Sequence, residues 1–278
     1  MKERMILTAK GHTIIAHEYA GNSNLLVIIV SATGVKQTFY RKFATFLSSQ
    51  GVTVLSFDYH GIGASLQGPI RSISTTAAEW GSNDLEAVIQ WASKHYPNAL
   101  ISAIGHSIGG QLIGLAPSST IFKRIVLVAA QSGYWKFWPA TQQWRMWANW
   151  YLLFPTLVGL FGYMPSKQFS GMENLPKQVA LQWSRWCRNK DYLFAEIPIS
   201  EQYYHHIEAP VLSFSMDQDP FAPQSAVNWL TAQYSGSVIQ EQHLQASAFG
   251  AHAIGHFGIF KEKFRPTLWS LLYHACIG

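Results

Sequence analysis

The 278-residue chain contains 48% hydrophobic and 13% charged residues, a balance that excludes an intrinsically disordered protein and indicates a globular fold with a sizeable core. Its formal charge of +5 arises from 20 basic and 15 acidic residues without a run of five Lys and Arg, so nucleic acid is not an expected partner. Cys187 and Cys276 are too few for a disulfide framework and lack metal-binding or redox spacing. We expect both thiols to be reduced.

Two further features bear on location. Residues 1–10 lack the apolar stretch of a secretory signal, and the most apolar segment, 151–164, is too short for a bilayer and is interrupted by Pro155 and Gly159. We therefore expect a cytoplasmic protein without stable membrane insertion. The oligomeric state stays open.

The predicted elements begin with three β-rich runs. Strands are predicted over 5–8, 13–19 and 25–30, and the first two are expected to form a hairpin. Further along, apolar runs alternate with helical stretches. This later set comprises strands over 52–57, 100–104 and 125–130, and helices over 39–49, over 77–96 and from Ser107 onward. Such alternation predicts a parallel sheet.

The alternation stops after residue 130 and resumes with the strand predicted over 211–215. Between them lies a segment, 131–207, with seven of the 11 tryptophans. The fold class is therefore α/β, with a mostly parallel central sheet flanked by helices (1–130 and 208–278) and an inserted, aromatic-rich helical cap (131–207). After 215 we expect a helix over 226–234, a strand over 237–243 and a helix over 266–275.

The sequence Gly105-His106-Ser107-Ile108-Gly109 matches the pattern G-x-S-x-G directly after a predicted strand and before a helix. A serine on such a sharp strand-to-helix turn is exposed and strained, and the flanking positions must be small so that strand and helix can approach. The pattern predicts Ser107 as a nucleophile.

Here the chain resembles the α/β-hydrolase family, in particular bacterial serine hydrolases of the esterase, monoglyceride lipase and aminopeptidase branch. The resemblance implies that an acid follows the strand after the cap, where Asp219 precedes Pro220; Asp217 in the same loop is the alternative. It also implies the order Ser, Asp, His. The candidates for the base are then His243, His252, His256 and His274.

Among these histidines, His256 lies in Gly255-His256-Phe257-Gly258, which resembles the family's Gly-His-Phe-Gly loop. The resemblance therefore favours His256, with His252 as the fallback. It further implies an oxyanion hole formed by the N–H groups of Ile108 and Val35, with Thr33-Gly34 in place of the usual His-Gly.

Three other groups of residues bear on architecture, metal binding and substrate binding. His60 replaces an arginine in a segment similar to D-x-R-G-x-G-x-S and is interpreted as architectural. The pair His205-His206 is interpreted as a solvated end of the cap rather than a metal site. Trp135 and Trp138 are predicted to bind substrate, although cap aromatics could equally form the core of the cap.

Together these residues predict a serine hydrolase. It would cleave an ester or thioester of a small hydrophobic acyl substrate through an acyl-enzyme on Ser107, with no cofactor and no metal. Three alternatives stay open: an aminopeptidase or amidase, an acyltransferase with the same triad, and a non-catalytic ligand receptor.

Overall fold

The computed structural model describes all residues, 1–278, and its centre is one sheet of eight strands. The chain forms ten strands: β1 (Lys2–Leu7), β2 (Thr13–Tyr19), β3 (Leu25–Val30), β4 (Thr53–Phe57), β5 (Leu100–His106), β6 (Ile125–Val128), β7 (Tyr163–Met164), β8 (Leu175–Pro176), β9 (Val211–Met216) and β10 (Ile239–Leu244). The order in the large sheet is β1-β2-β4-β3-β5-β6-β9-β10. The α/β fold class is confirmed.

Direction within the sheet follows the sequence pattern. The predicted hairpin forms, with β1 antiparallel to β2 and β2 antiparallel to β4, while β4, β3, β5, β6, β9 and β10 are mutually parallel. Strand β3 is a continuous apolar run because helices cover both faces of the central strands. All parallel strands therefore end at one carboxyl edge, where loop residues gather.

Helices flank the sheet and fill the insertion. They are α1 (Arg41–Ser49), α2 (Ala77–Glu79), α3 (Glu86–His95), α4 (Ile108–Leu112), α5 (Ala140–Ala148), α6 (Phe154–Phe161), α7 (Lys177–Arg188), α8 (Gln224–Thr231) and α9 (Ser270–Ile277). The helix predicted over 77–96 is interrupted by a π-helical turn, Trp80–Leu85. The sequence could not show this turn, because buried Trp80 is placed by tertiary contacts.

The inserted segment 131–207 contains α5, α6 and α7 together with a short antiparallel pair, β7 and β8. The segment predicted to be helical thus also contains a short strand pair. The pair β7–β8 brings the chain back to the loops that follow β3 and β4. A Cβ at Gly34 would lie 3.1 Å from the Glu173 carbonyl oxygen, and one at Gly61 would lie 2.6 Å from Pro176. The segment thus rests against the carboxyl edge of the sheet.

None of the helices combines the length and the apolar character needed to cross a bilayer.

Candidate active site

Ser107 sits on a strained turn between β5 and α4. Its backbone has φ 54° and ψ −121°, a left-handed conformation that side chains rarely adopt, and its side chain is almost fully buried. The turn is possible because its neighbours lack side chains. A Cβ at Gly109 would lie 2.1 Å from the Val30 carbonyl oxygen, and one at Gly105 would lie 2.5 Å from the Cα of Gly110. Close approach of strand and helix therefore requires both glycines.

His256 and Asp219 meet in loops beside this turn. His256 Nδ1 lies 2.8 Å from Asp219 Oδ2, and both side chains are buried. The other carboxylate oxygen of Asp219 accepts hydrogen bonds from the N–H groups of Phe221 (2.8 Å) and Ala222 (3.0 Å). These bonds fix the carboxylate, which in turn orients the imidazole with Nε2 facing away from the acid.

The alternative acid and bases lie elsewhere. Asp217 accepts a hydrogen bond from the Ala246 N–H at 3.1 Å and makes no contact with His256. His252 has an exposed side chain, and His243 in the edge strand β10 contacts the Ser215 hydroxyl at 2.8 Å. The structure therefore brings Asp219 and His256 together from among the candidates.

The Ser107 hydroxyl is not hydrogen-bonded to His256 in this structure. It donates a long hydrogen bond, 3.5 Å, to Oε1 of Gln131, the first residue of the insertion. Two further hydrogen bonds hold Gln131 in place. Its side-chain amide donates to the Phe221 carbonyl at 3.2 Å, and its backbone carbonyl accepts from the side-chain amide of Gln111 at 2.7 Å. Gln131 was not among the residues predicted for the site. Its position just after β6, the neighbour of β5, was the signal that could have identified it.

Backbone donors for an oxyanion were predicted at Ile108 and Val35. Ile108 is the first residue of α4, so its N–H has no acceptor within the helix. The Val35 N–H, in contrast, donates to the Ala32 carbonyl at 3.1 Å and is engaged in a turn, unlike the free donor that was predicted. The N–H groups of Thr33 and Gly34 in the same turn make no hydrogen bond, and the buried Thr33 hydroxyl also lacks a partner.

A buried hydrogen-bond chain connects this turn to His256. The Ala32 N–H donates to the Tyr40 hydroxyl (3.0 Å), which lies 2.8 Å from His106 Nδ1, and His106 Nε2 lies 2.9 Å from the His256 carbonyl oxygen. A carbonyl can only accept, so His106 Nε2 carries the proton and Nδ1 accepts from Tyr40. Burial, together with the nearby His256, lowers the pKa of His106 well below its usual range, which keeps this imidazole neutral.

The predicted substrate-binding tryptophans differ in their surroundings. Trp138 is buried, and its indole N–H donates to the Pro220 carbonyl at 2.9 Å, next to Asp219. Trp135 is half-buried, with the Lys136 ammonium 5.3 Å from its ring centroid. Trp138 therefore braces the loop that carries Asp219, whereas Trp135 packs against the larger hydrophobic core.

The His60 ring stacks on the His12 ring, with centroids 3.8 Å apart. The backbone N–H of His60 donates to the Asp84 carboxylate at 2.8 Å. These contacts tie the loop after β4 to the π-helical turn, in keeping with an architectural interpretation. His205 and His206 have exposed side chains. No group of three His, Cys, Asp or Glu side chains is arranged to hold a metal ion.

The fold resembles several solved structures. DcsB, solved with a substrate analogue, superimposes with a TM-score of 0.69 at 16% identity, with 99% of this chain and 98% of DcsB covered. The esterase Pf2001 of Pyrococcus furiosus gives 0.64 at 17% identity (99% and 89% covered), and the esterase EaEST of Exiguobacterium antarcticum gives 0.62 at 16% (99% of both). At these identities the likeness shows the fold alone.

Sequence comparison identifies the family directly. No curated protein sequence matches the chain. The sequence profile of the alpha/beta hydrolase family, however, matches residues 27–250, which include the serine turn, the insertion and the loop of Asp219. The chain therefore belongs to the α/β-hydrolase family.

Proposed function

We propose that the protein is a serine hydrolase that cleaves an ester or thioester of a small hydrophobic molecule through an acyl-enzyme on Ser107. The observation that carries the proposal is the strained Ser107 turn at the end of β5 beside a buried His256–Asp219 pair. A strained serine conformation is kept only where the surrounding structure enforces it, and such positions cluster at functional sites.

In the proposed first step, the Ser107 hydroxyl turns from Gln131 toward His256 Nε2, which has no other partner. His256 takes the proton as the serine oxygen attacks the acyl carbonyl, and Asp219 holds the tautomer and stabilises the imidazolium. The leaving alcohol or thiol receives that proton. Water, activated by His256, then hydrolyses the acyl-enzyme and restores the serine.

The oxyanion formed in each step would be stabilised by two backbone donors. Ile108 supplies the first, as the sequence predicts. We assign the second to Thr33 or Gly34 rather than Val35, because their N–H groups make no hydrogen bond within the protein while that of Val35 does. Preorganised donors of this kind account for about 10²–10³ of the rate in related chemistry.

The preference for a hydrophobic acyl group is supported by the apolar rim of the site. The ring of Phe221 lies 5.3 Å from His256 and is half-exposed, and Phe257 packs on the same imidazole at 4.9 Å. Trp138 stands behind the acid loop. Such rings bury an apolar group at low entropy cost and offer no charge to bind the amino terminus of a peptide.

Covalent labelling tests the proposal. A fluorophosphonate probe should label the wild type at one site, identified as Ser107 by peptide mass spectrometry, and Ser107→Ala should be folded but unlabelled. A chain-length series of p-nitrophenyl esters, run beside aminoacyl amides, should show turnover of the esters. Absence of labelling in folded wild-type protein would contradict the enzyme, and faster turnover of the amides would contradict the ester substrate.

A further inference from the structure

One side of the helical run of residues 140–161 packs on the core of the insertion. Trp150, Phe154 and Val158 recur every four residues and are buried. Trp150 contacts Trp183 of α7 with ring centroids 4.9 Å apart, and the Ser184 hydroxyl donates to the Trp150 carbonyl at 2.6 Å. Several side chains on the remaining sides of the run are exposed to solvent.

The solvent-exposed sides of this run carry large apolar residues. Trp144 is 68% exposed and Leu160 is 74% exposed. Together with four further exposed side chains they form what we call the apolar helical surface: Trp144, Trp147, Tyr151, Leu152, Leu153 and Leu160. The rings of Trp147 and Tyr151 stack 5.3 Å apart. Monomeric proteins rarely expose such a group of large apolar residues unless it has a binding role.

The charged side chains seen in contact with this helical run are basic. The sequence contains no acidic residue between Glu86 and Glu173. The Arg188 guanidinium lies 5.3 Å from the Tyr151 ring centroid, and Arg71 donates to the Phe161 carbonyl at 2.8 Å, at the end of α6. Arg145 belongs to α5 itself. None of these arginines pairs with a carboxylate.

Exposed apolar side chains beside arginines that lack a carboxylate partner favour one kind of partner. A second copy of the chain, docked by the same surface, would bring like charges together without any acid to compensate them. An anionic lipid bilayer supplies the opposite charge. Trp and Tyr prefer the headgroup region, leucines reach the acyl boundary, and Arg side chains bind headgroup phosphates.

We propose that the apolar helical surface docks the protein on anionic lipid membranes, with the helices lying in the interface and not crossing it. This inference goes beyond the proposed hydrolase function and does not depend on it. The same segment leads through Trp138 to the loop of Asp219, so docking would place the candidate active site close to apolar substrates dissolved in the membrane.

Vesicle flotation tests the proposal. Full-length protein is mixed with phosphatidylcholine vesicles or with vesicles that also contain phosphatidylglycerol, and the bound fraction is measured at low and high salt. We expect binding to the anionic vesicles, weakened by salt, and little binding to the neutral ones. Replacement of Arg71, Arg145 and Arg188 by Gln should reduce the binding to anionic vesicles.

A matched pair of variants separates the surface from general stickiness. Leu160→Asp should lower the vesicle partition coefficient, obtained from the bound fraction at several lipid concentrations, about tenfold, since one buried leucine is lost from the interface. Leu7→Asp, at a position 71% exposed in β1, should bind like the wild type. Circular dichroism verifies folding of both variants, and Ser107→Ala should float like the wild type whether or not Ser107 is a nucleophile.

Three outcomes would overturn the proposal. The first is that wild type fails to float with anionic vesicles, and the second is that Leu160→Asp and Leu7→Asp lose binding equally. The third is a dimer, seen by light scattering, that Leu160→Asp dissociates while vesicles bind neither form; the surface would then be a contact between copies of the chain.

Discussion

The inserted segment exposes some of its large aromatic side chains, whereas several of the largest aromatic side chains of the α/β core are buried. In the core, Trp80 and Trp269 are fully buried, and Trp269 donates its indole N–H to the Ile259 carbonyl at 3.0 Å. In the insertion, Trp144 and Trp147 point into solvent. The difference follows from layering: helices cover both faces of the sheet, whereas the helices in the insertion leave Trp144 and Trp147 exposed to solvent.

The two regions also contribute differently to the candidate site. Side chains of the candidate site that come from the core are fixed by several hydrogen bonds each, as for Asp219, Tyr40 and His106. The insertion contributes contacts at the edge of the site through Gln131 and Trp138. Substitutions should therefore be costly in the core and mild in the insertion, which can be tested residue by residue.

The largest effect is expected at the acid. Asp219→Asn should lower kcat toward p-nitrophenyl esters about 10⁴-fold, because the amide favours the wrong imidazole tautomer. Asp217→Asn serves as the matched control and should cost less than about tenfold, since Asp217 contacts only the Ala246 N–H. If Asp217→Asn were the more damaging variant, the assignment of the acid would move to that residue.

A pair of Gly→Ala variants should give changes of opposite sign in the two regions. Gly109→Ala should lower the free energy of unfolding by about 3 kcal/mol, because its Cβ would meet the Val30 carbonyl oxygen at 2.1 Å and backbone cannot yield easily. Gly159→Ala in α6, where a Cβ meets nothing within 4 Å, should raise it by about 0.5–1 kcal/mol. Urea denaturation measures both, and a tolerated Gly109→Ala would contradict the close approach.

A smaller effect is expected within the core chain of hydrogen bonds. Tyr40→Phe leaves the Ala32 N–H and His106 Nδ1 without partners, which should cost about 1–3 kcal/mol of stability and lower kcat with little change in KM. Tyr234→Phe is the control, since this buried hydroxyl reaches only the Gly110 carbonyl. Equal kcat in the two folded variants would show that the chain is structural and does not position His256.

The pH dependence of stability should also depend on His106. The folded protein keeps His106 neutral, while the unfolded chain protonates it near its ordinary pKa of 6.5. The unfolded state then binds more protons, so wild type should lose free energy of unfolding as the pH falls below about 6.5, by up to about 1.4 kcal/mol per pH unit from this group. In His106→Gln, whose amide can still donate to the His256 carbonyl, this slope should decrease.

Urea titrations of wild type and His106→Gln between pH 7 and pH 5 measure that difference directly. Burial also lowers the pKa of His60, which contributes to the slope of both proteins and therefore cancels in the comparison. Identical slopes for the two proteins would mean that His106 titrates normally in the folded state.

Local sequence determined the sheet and the turn. Continuous apolar runs predicted β3 and β6, a β-rich run predicted β2, and the glycines around Ser107 predicted the strand-to-helix turn, because each depends on residues adjacent in the chain. Only the fold decided which of Asp217 and Asp219 reaches His256. The two acids are two residues apart, and the side chains of loop residues are aimed by the contacts around them rather than by spacing.

Contacts between distant parts of the chain were likewise invisible in the sequence. Tyr40 and His106 are 66 residues apart in the chain, and His106 and His256 are 150 residues apart. The Val35 N–H was predicted as an oxyanion donor but closes a turn with Ala32. The number of tryptophans in the insertion was known from the sequence, but which of them face solvent was not. Burial depends on whether a second layer covers a helix, and that is a property of the assembled tertiary structure alone.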